Sequence, residues 1–244
     1  MPNWCYNALT VSGPRGPIVL FQTMALGEEA FSLQSLLPCP QSLYDVPAGS
    51  HEDLYEIVHG DWEGVRSRKV RGRPMSPYTT REEMVRDLPR IYPDTNDAVG
   101  IANQYKDNLE EHGHRTWYGW CVDSWGTKWD VSNAVLISES AGSLTYEFSS
   151  AWTPPEEAIR TISKSFHELT FKLEYYEPGC DFVGSATFIK GKVTERIEGA
   201  ISNPEDRITF EHLLPDWILE EPEEEDEEIV ALSPAIEAVE EDGI

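Results

Sequence analysis

Apolar and polar positions change period along the chain, and each change marks an element. Trp4 to Val11 mixes aromatic and β-branched residues and stops at Ser12-Gly13-Pro14, which predicts a strand and a turn. Pro17 opens a nearly continuous apolar stretch, Ile18 to Leu26, that ends beside Gly27 and predicts a helix buried on most sides. Further on, Val131, Asn133, Val135 and Ile137 alternate with Ser132, Ala134 and Leu136. Leu144, Tyr146 and Phe148 alternate with Thr145, Glu147 and Ser149. These are two strands of a hairpin turned at Ala141-Gly142. Thr153-Pro154-Pro155-Glu156 offers a cap, first-turn prolines and a capping-box glutamate ahead of Ile159, Ile162, Phe166 and Leu169 at helical spacing. Leu169, Phe171, Leu173 and Tyr175 alternate again, Pro178-Gly179 turns the chain, and Asp181 to Ile189 returns as another strand.

The order is β, α, β, β, α, β with one extra strand, which predicts an α+β protein. Its sheet is the ferredoxin-like split βαβ kind, antiparallel with two helices on one face. A ferredoxin-like domain over 1–215 has its core at 1–37 and 116–192, interrupted by a mainly helical insertion, 38–115. Within the insertion Ser50 caps a short helix ending at Gly60, and Thr80 with Glu83 forms a capping box. Ala98, Ile101, Ala102, Tyr105 and Leu109 make a helical stripe closed by Gly113. The insertion is expected to pack on the open side of the sheet.

Residues 216–244 predict a disordered acidic tail, with six consecutive acids from Glu223 to Glu228. The sparse apolar series Ile229, Val230, Leu232, Ile236 and Val239 within it retains the means to dock. The tail holds 13 Asp and Glu and no Lys or Arg, about half of the excess behind the net charge of −25. A surface this acidic repels phosphates and disfavours general nucleic-acid binding.

Cys5, Cys39, Cys121 and Cys180 stand far apart with no CxxC or CxxH pair, so reduced thiols are expected. The start lacks the basic and apolar regions of a signal peptide and no apolar run has the length of a membrane span, which leads to a cytoplasmic expectation.

Three segments, Met1-Pro2-Asn3-Trp4-Cys5-Tyr6-Asn7, Trp125-Gly126-Thr127-Lys128-Trp129-Asp130 and Ala151-Trp152-Thr153-Pro154-Pro155, together resemble the YubB-type ferredoxin-like domain family. The resemblance covers the first strand and helix and about Trp117 to Lys190. It implies a small domain of phage and plasmid genomes, and it brings no catalytic residues. Nor does it bring an iron–sulfur cluster, since the chain has no cysteine set for one.

Four constellations carry candidate chemistry. Trp117, Tyr118, Trp120, Trp125 and Trp129 form either a stacking platform or the packed joint between sheet and insertion. Asp123, Lys128 and Asp130 stand among them and either orient a ligand or tie a loop to the backbone. Cys5, Cys121, His112 and His114 suit zinc by type but not by spacing, so neither a metal nor another cofactor is expected. Arg66, Arg68, Lys69, Arg71 and Arg73 put five positive charges on a loop broken by Gly72 and Pro74, suited to phosphate or balanced by the acidic body.

The leading function is a binding protein of a phage or plasmid, without catalysis, that acts on a host protein or defence complex. Counter-defence or DNA mimicry are examples, and no P-loop, GxSxG or HExxH motif argues for an enzyme. One alternative is a small phosphate- or nucleotide-acting enzyme with its site at Trp117 to Asp130. The other is a nucleic-acid-binding module using the Arg66 to Arg73 loop and aromatic faces.

Overall fold

The computed structural model describes residues 3–219. Strand β1 (Trp4–Ser12) is followed by α1 (Arg15–Ala25), α2 (Leu33–Leu36), α3 (Gln41–Tyr44), α4 (Asp53–Val58) and α5 (Trp62–Arg66). A small hairpin, β2 (Lys69–Val70) and β3 (Arg73–Pro74), precedes α6 (Arg81–Arg86), α7 (Leu88–Ile91), α8 (Ala98–His112) and α9 (Trp117–Trp125). Then come β4 (Ser132–Glu139), β5 (Ser143–Ala151), α10 (Glu156–Ser165), β6 (Thr170–Glu177), β7 (Phe182–Ile189) and β8 (Lys192–Gly199). Two short helices, α11 (Pro204–Thr209) and α12 (Asp216–Leu219), end the described chain.

The main sheet runs β4-β5-β1-β6-β7-β8, and every neighbouring pair is antiparallel. β1 lies between β5 and β6, so β5 separates it from β4, the strand reached through α1 and the insertion. That is the split βαβ arrangement expected from the sequence. Two strands, β7 and β8, extend it, where one was expected. β8 reads Lys-Val-Thr-Glu-Arg-Ile-Glu-Gly and is exposed along nearly its whole length. It buries no apolar row, and a charged edge of this kind discourages pairing with another chain.

Register with β5 and β6 divides β1 cleanly. Cys5, Asn7, Leu9 and Val11 face the helices and are buried, while Trp4, Tyr6, Ala8 and Thr10 face the other way. The main core joins these inward residues to Phe21 of α1, Ile159 and Ile162 of α10, and the inner rows of β5 to β7. α1 begins earlier than expected, and only one side of it is buried: Ile18, Phe21 and Ala25 point inward while Val19, Leu20 and Met24 are exposed. The unbroken apolar run concealed that amphipathic geometry.

The insertion folds around a second core that includes Leu54, Ile57, Met84, Tyr92, Ala102 and Tyr105. Contrary to expectation, it does not lie over the open side of the sheet. It joins the helix side, where α3 packs on α8, α9 packs on α10, and Trp125 and Cys121 enter the main core. The open side is covered in part by the chain's own end, where Phe210, Leu214 and Ile218 pack on Tyr176 and Val183. Asp216–Leu219, expected to begin the tail, is therefore part of the folded body, and the remainder of the expected tail lies outside the described residues.

Local capping was partly as expected. Thr80 Oγ1 accepts from the Glu83 N–H at 3.2 Å, and Gly113 closes α8 with φ 75°. Ser50 does not cap α4; the residue at that cap position is Glu52. Thr153 does not cap α10 either, because its hydroxyl donates to the Gly126 carbonyl at 2.6 Å. At Thr153 a tertiary partner outcompetes the local bond.

Candidate functional site

The tryptophan segment forms a helix, α9, with Trp117, Cys121 and Trp125 spaced four apart. Trp125 is 1% exposed, and its indole N–H donates to the Leu37 carbonyl at 2.9 Å. Trp120 packs edge-on against it, and Trp117 stacks on Tyr44 with centroids 6.0 Å apart. These three rings form the joint between sheet and insertion. Tyr118 and Trp129 remain exposed, with the Lys128 ammonium 5.5 Å and 4.4 Å from their ring centres.

The three polar residues among them make separate contacts. Asp130 accepts from Ser32 Oγ at 2.6 Å and from the N–H groups of Leu33 and Val131 at 2.7 and 2.8 Å. This carboxylate is spent on the first turn of α2 and on its own loop. Asp123 lies 3.6 Å from His114, and Lys128 lies over the aromatic rings. Among the described residues no ion pair joins Asp123, Lys128 and Asp130.

The basic segment is the β2–β3 hairpin rather than an open loop. Arg68 makes a bidentate pair with Asp53, with its shorter contact at 2.6 Å, and Arg71 pairs in the same forked way with Asp94. Arg66 donates to the Tyr78 carbonyl at 2.6 Å. Lys69 and Arg73 are exposed on the hairpin and have no ion pair among the described residues. Arginine-paired Asp94 is held well below the usual carboxylate range, chiefly by its hydrogen bonds from Arg71. The acids of the insertion thus neutralise two of the five charges, Arg68 and Arg71, that looked free for phosphate.

Among the described residues no group of three or more His, Cys, Asp or Glu is placed to hold a metal ion. Burial pushes the Cys121 thiol up to about 12 and the Cys5 thiol higher still, which keeps both protonated and unreactive.

The feature that the sequence left unmarked is the open face of the sheet. Tyr6 of β1 and Tyr176 of β6 stack with centroids 4.9 Å apart and planes 17° apart. Beside them runs a groove of about 410 Å³, bounded by Val135 and Glu147 on one side and by Leu214 and Pro215 on the other. Burial pushes the Tyr176 hydroxyl up to about 12, so it remains a neutral donor. Trp4, Tyr6 and Val135 are 38%, 42% and 51% exposed, a row of apolar groups left bare on a face otherwise partly covered. Acids stand around it: Glu147 is exposed, and Glu174 is held by Lys172 and His212. The signal lay in the phase of β1, where Trp4 and Tyr6 alternate with the buried set Cys5, Asn7 and Leu9.

The three motif segments meet at one end of the sheet. The Trp152 N–H donates to the Asn3 carbonyl at 3.0 Å, and Thr127 Oγ1 donates to the Ala151 carbonyl at 3.0 Å. Asn7 Nδ2, fully enclosed, donates to Cys5 O and Ser150 Oγ, both at 2.9 Å. The motifs therefore fasten the fold at this end.

Sheet order, helix placement and register define a ferredoxin-like α+β domain. Residues 124–230 match the family described as the ferredoxin-like domain in Api92-like protein. The curated relative found is the "Uncharacterized protein YubB" of Escherichia coli strain K12. It is 28% identical over 108 residues, covering 42% of this chain and 74% of that protein. The chain is also similar to the crystal structure of a protein Api92 from Yersinia pseudotuberculosis. That similarity has 15% identity and a TM-score of 0.45, over 82% of this chain and 99% of the other. The matched span omits β1, the strand between β5 and β6, so the sheet is complete only with the N-terminal segment.

Proposed function

We propose that this protein is a non-catalytic binding protein that engages a basic protein surface through the open face of its sheet. The observation that carries the reading is the bare aromatic pair Trp4 and Tyr6, with Tyr6 stacked onto Tyr176 beside an acid-edged groove. Rigid aromatic anchors inside a polar rim are the usual energetic centre of a protein interface. Charge complementarity selects the partner, because Glu147 at the groove and a net charge of −25 favour a cationic surface and speed encounter with it. A DNA-binding protein of a host cell has such a surface, and a chain encoded by a phage or plasmid and present in that cell's cytoplasm would occupy it as a DNA mimic or counter-defence factor. Resemblance to YubB supports this setting.

Copurification from bacterial cells with full-length protein, and with Tyr6→Ala and Glu147→Lys variants of unchanged melting temperature, tests the reading. The expected result is a basic protein recovered with the parent chain and depleted at least tenfold with each variant. Recovery independent of both residues would overturn it.

The Tyr6–Tyr176 pair also favours a second reading, base stacking, since split βαβ sheets use central-strand aromatics in that way. Under it a single-stranded oligonucleotide would bind the parent chain, lose affinity with Tyr6→Ala and weaken steeply with salt. The acids on this face oppose it.

A further inference from the structure

Helices α1 and α10 cover the same side of the sheet, and their outward sides differ. α10 follows the usual rule, with Arg160, Thr161 and Lys164 turned away from the core. α1 does not. Its outward positions are Gly16, Val19, Leu20, Thr23 and Met24, and Val19, Leu20 and Met24 are each about half exposed. No Asp, Glu, Lys or Arg occurs from Gly16 to Gly27, in a chain of which 26% is charged. A helix that is apolar on all sides is one that is buried on all sides, so the bare side of α1 calls for a cover.

The order of the outward positions points to what covers it. Set antiparallel to itself about a two-fold axis between Phe21 and Gln22, the segment places Val19 opposite Met24, Leu20 opposite Thr23, Gly16 opposite Gly27 and Arg15 opposite Glu28. All eight of these positions are exposed, so the bare surface is complementary to itself. Opposite charges meet at each end. Neither Arg15 nor Glu28 has an ion pair among the described residues. The 11 residues of α1 stand between them. A helix of that length is about 16 Å long, which keeps the two side chains of one chain apart.

We infer that α1 is the contact through which two copies of this chain associate, packed antiparallel about that two-fold axis. One patch used by both copies is the isologous kind of interface, which closes at a dimer. A net charge of −25 on each copy opposes association, and it opposes it least at an uncharged stretch whose two ends attract. The helix face is small, so the pair is weak and depends on concentration. Because α1 lies behind the sheet, both copies keep Tyr6 and its groove free, and a dimer offers two such faces to one partner.

Sedimentation equilibrium of the full-length chain tests the inference. The parent should pass from monomer toward dimer as its concentration rises to roughly 500 µM, the weak range that a small interface gives. Leu20→Asp should weaken dimerisation at least tenfold at an unchanged melting temperature. Arg15→Glu should weaken it at least threefold by setting acids face to face at both ends. The double swap Arg15→Glu, Glu28→Arg should restore the parent's affinity to within twofold, which only a pair between chains allows. A parent that stays monomeric, a dimer indifferent to Leu20→Asp, or a double swap no tighter than Arg15→Glu alone would each overturn the inference. No partner is present in the measurement and α1 lies across the sheet from Tyr6, so failure here leaves the proposed function standing.

Discussion

The indole nitrogen of Trp125 lies 2.9 Å from the carbonyl oxygen of Leu37. That bond ties the last turn of α9, where the chain comes back to the sheet domain, to the point where it left for the insertion. Replacing Trp125 by alanine should cost about 3–5 kcal/mol through cavity formation and leave the Leu37 carbonyl without its donor. Trp125→Phe retains most of the packing and should cost distinctly less. Urea unfolding of both variants checks this, and a Trp125→Ala midpoint equal to the parent's would show that the joint does not depend on the indole.

Asp130 gives the opposite expectation to an enzyme acid. Asp130→Ala removes an acceptor from Ser32, Leu33 and Val131 together, so a loss of about 1–3 kcal/mol is expected. Capture of a partner by the open face should survive at temperatures where the variant stays folded. Loss of capture with unchanged unfolding would place Asp130 in a binding surface instead.

Freeing the hairpin arginines should create an anion site. The double variant Asp53→Asn, Asp94→Asn releases Arg68 and Arg71 beside exposed Lys69 and Arg73. At about 50 mM salt it should bind a short oligonucleotide several-fold more tightly than the parent, and the gain should fade by about 200 mM. Equal binding by fluorescence anisotropy would show that pairing is not what silences this hairpin.

Glu174 predicts acid sensitivity at the open face. Burial alone would raise its carboxyl, but the hydrogen bonds from Lys172 and His212, at 2.8 and 2.9 Å, outweigh that and hold it below the usual value. A carboxylate lowered in the folded state contributes stability that is complete above its unfolded value and is lost as pH falls through the folded one. Glu174→Gln should therefore be less stable than the parent near pH 7, with the difference closing below about pH 4. Denaturation curves at the two pH values measure it, and a constant gap would rule out the linkage.

Much of this protein was legible in its sequence because periodicity reports burial directly. The alternation at Leu169 to Tyr175, the stripe on α8 and the Thr80 cap each reflect a local rule that the fold obeys. The three motif segments likewise announced the ferredoxin-like domain. β8 was hidden because an edge strand with both faces wet has no apolar row to reveal it.

The amino-acid order by itself determined the split βαβ core, its interruption by a helical insertion and the acidity of the whole. Tertiary structure alone decided which charges were already matched and which aromatic rings were bare. Arg68 and Arg71 meet Asp53 and Asp94 across 15 and 23 residues, and Tyr6 meets Tyr176 across 170. Pairings over such separations are set by strand register and helix packing, so residue type at a position cannot reveal them.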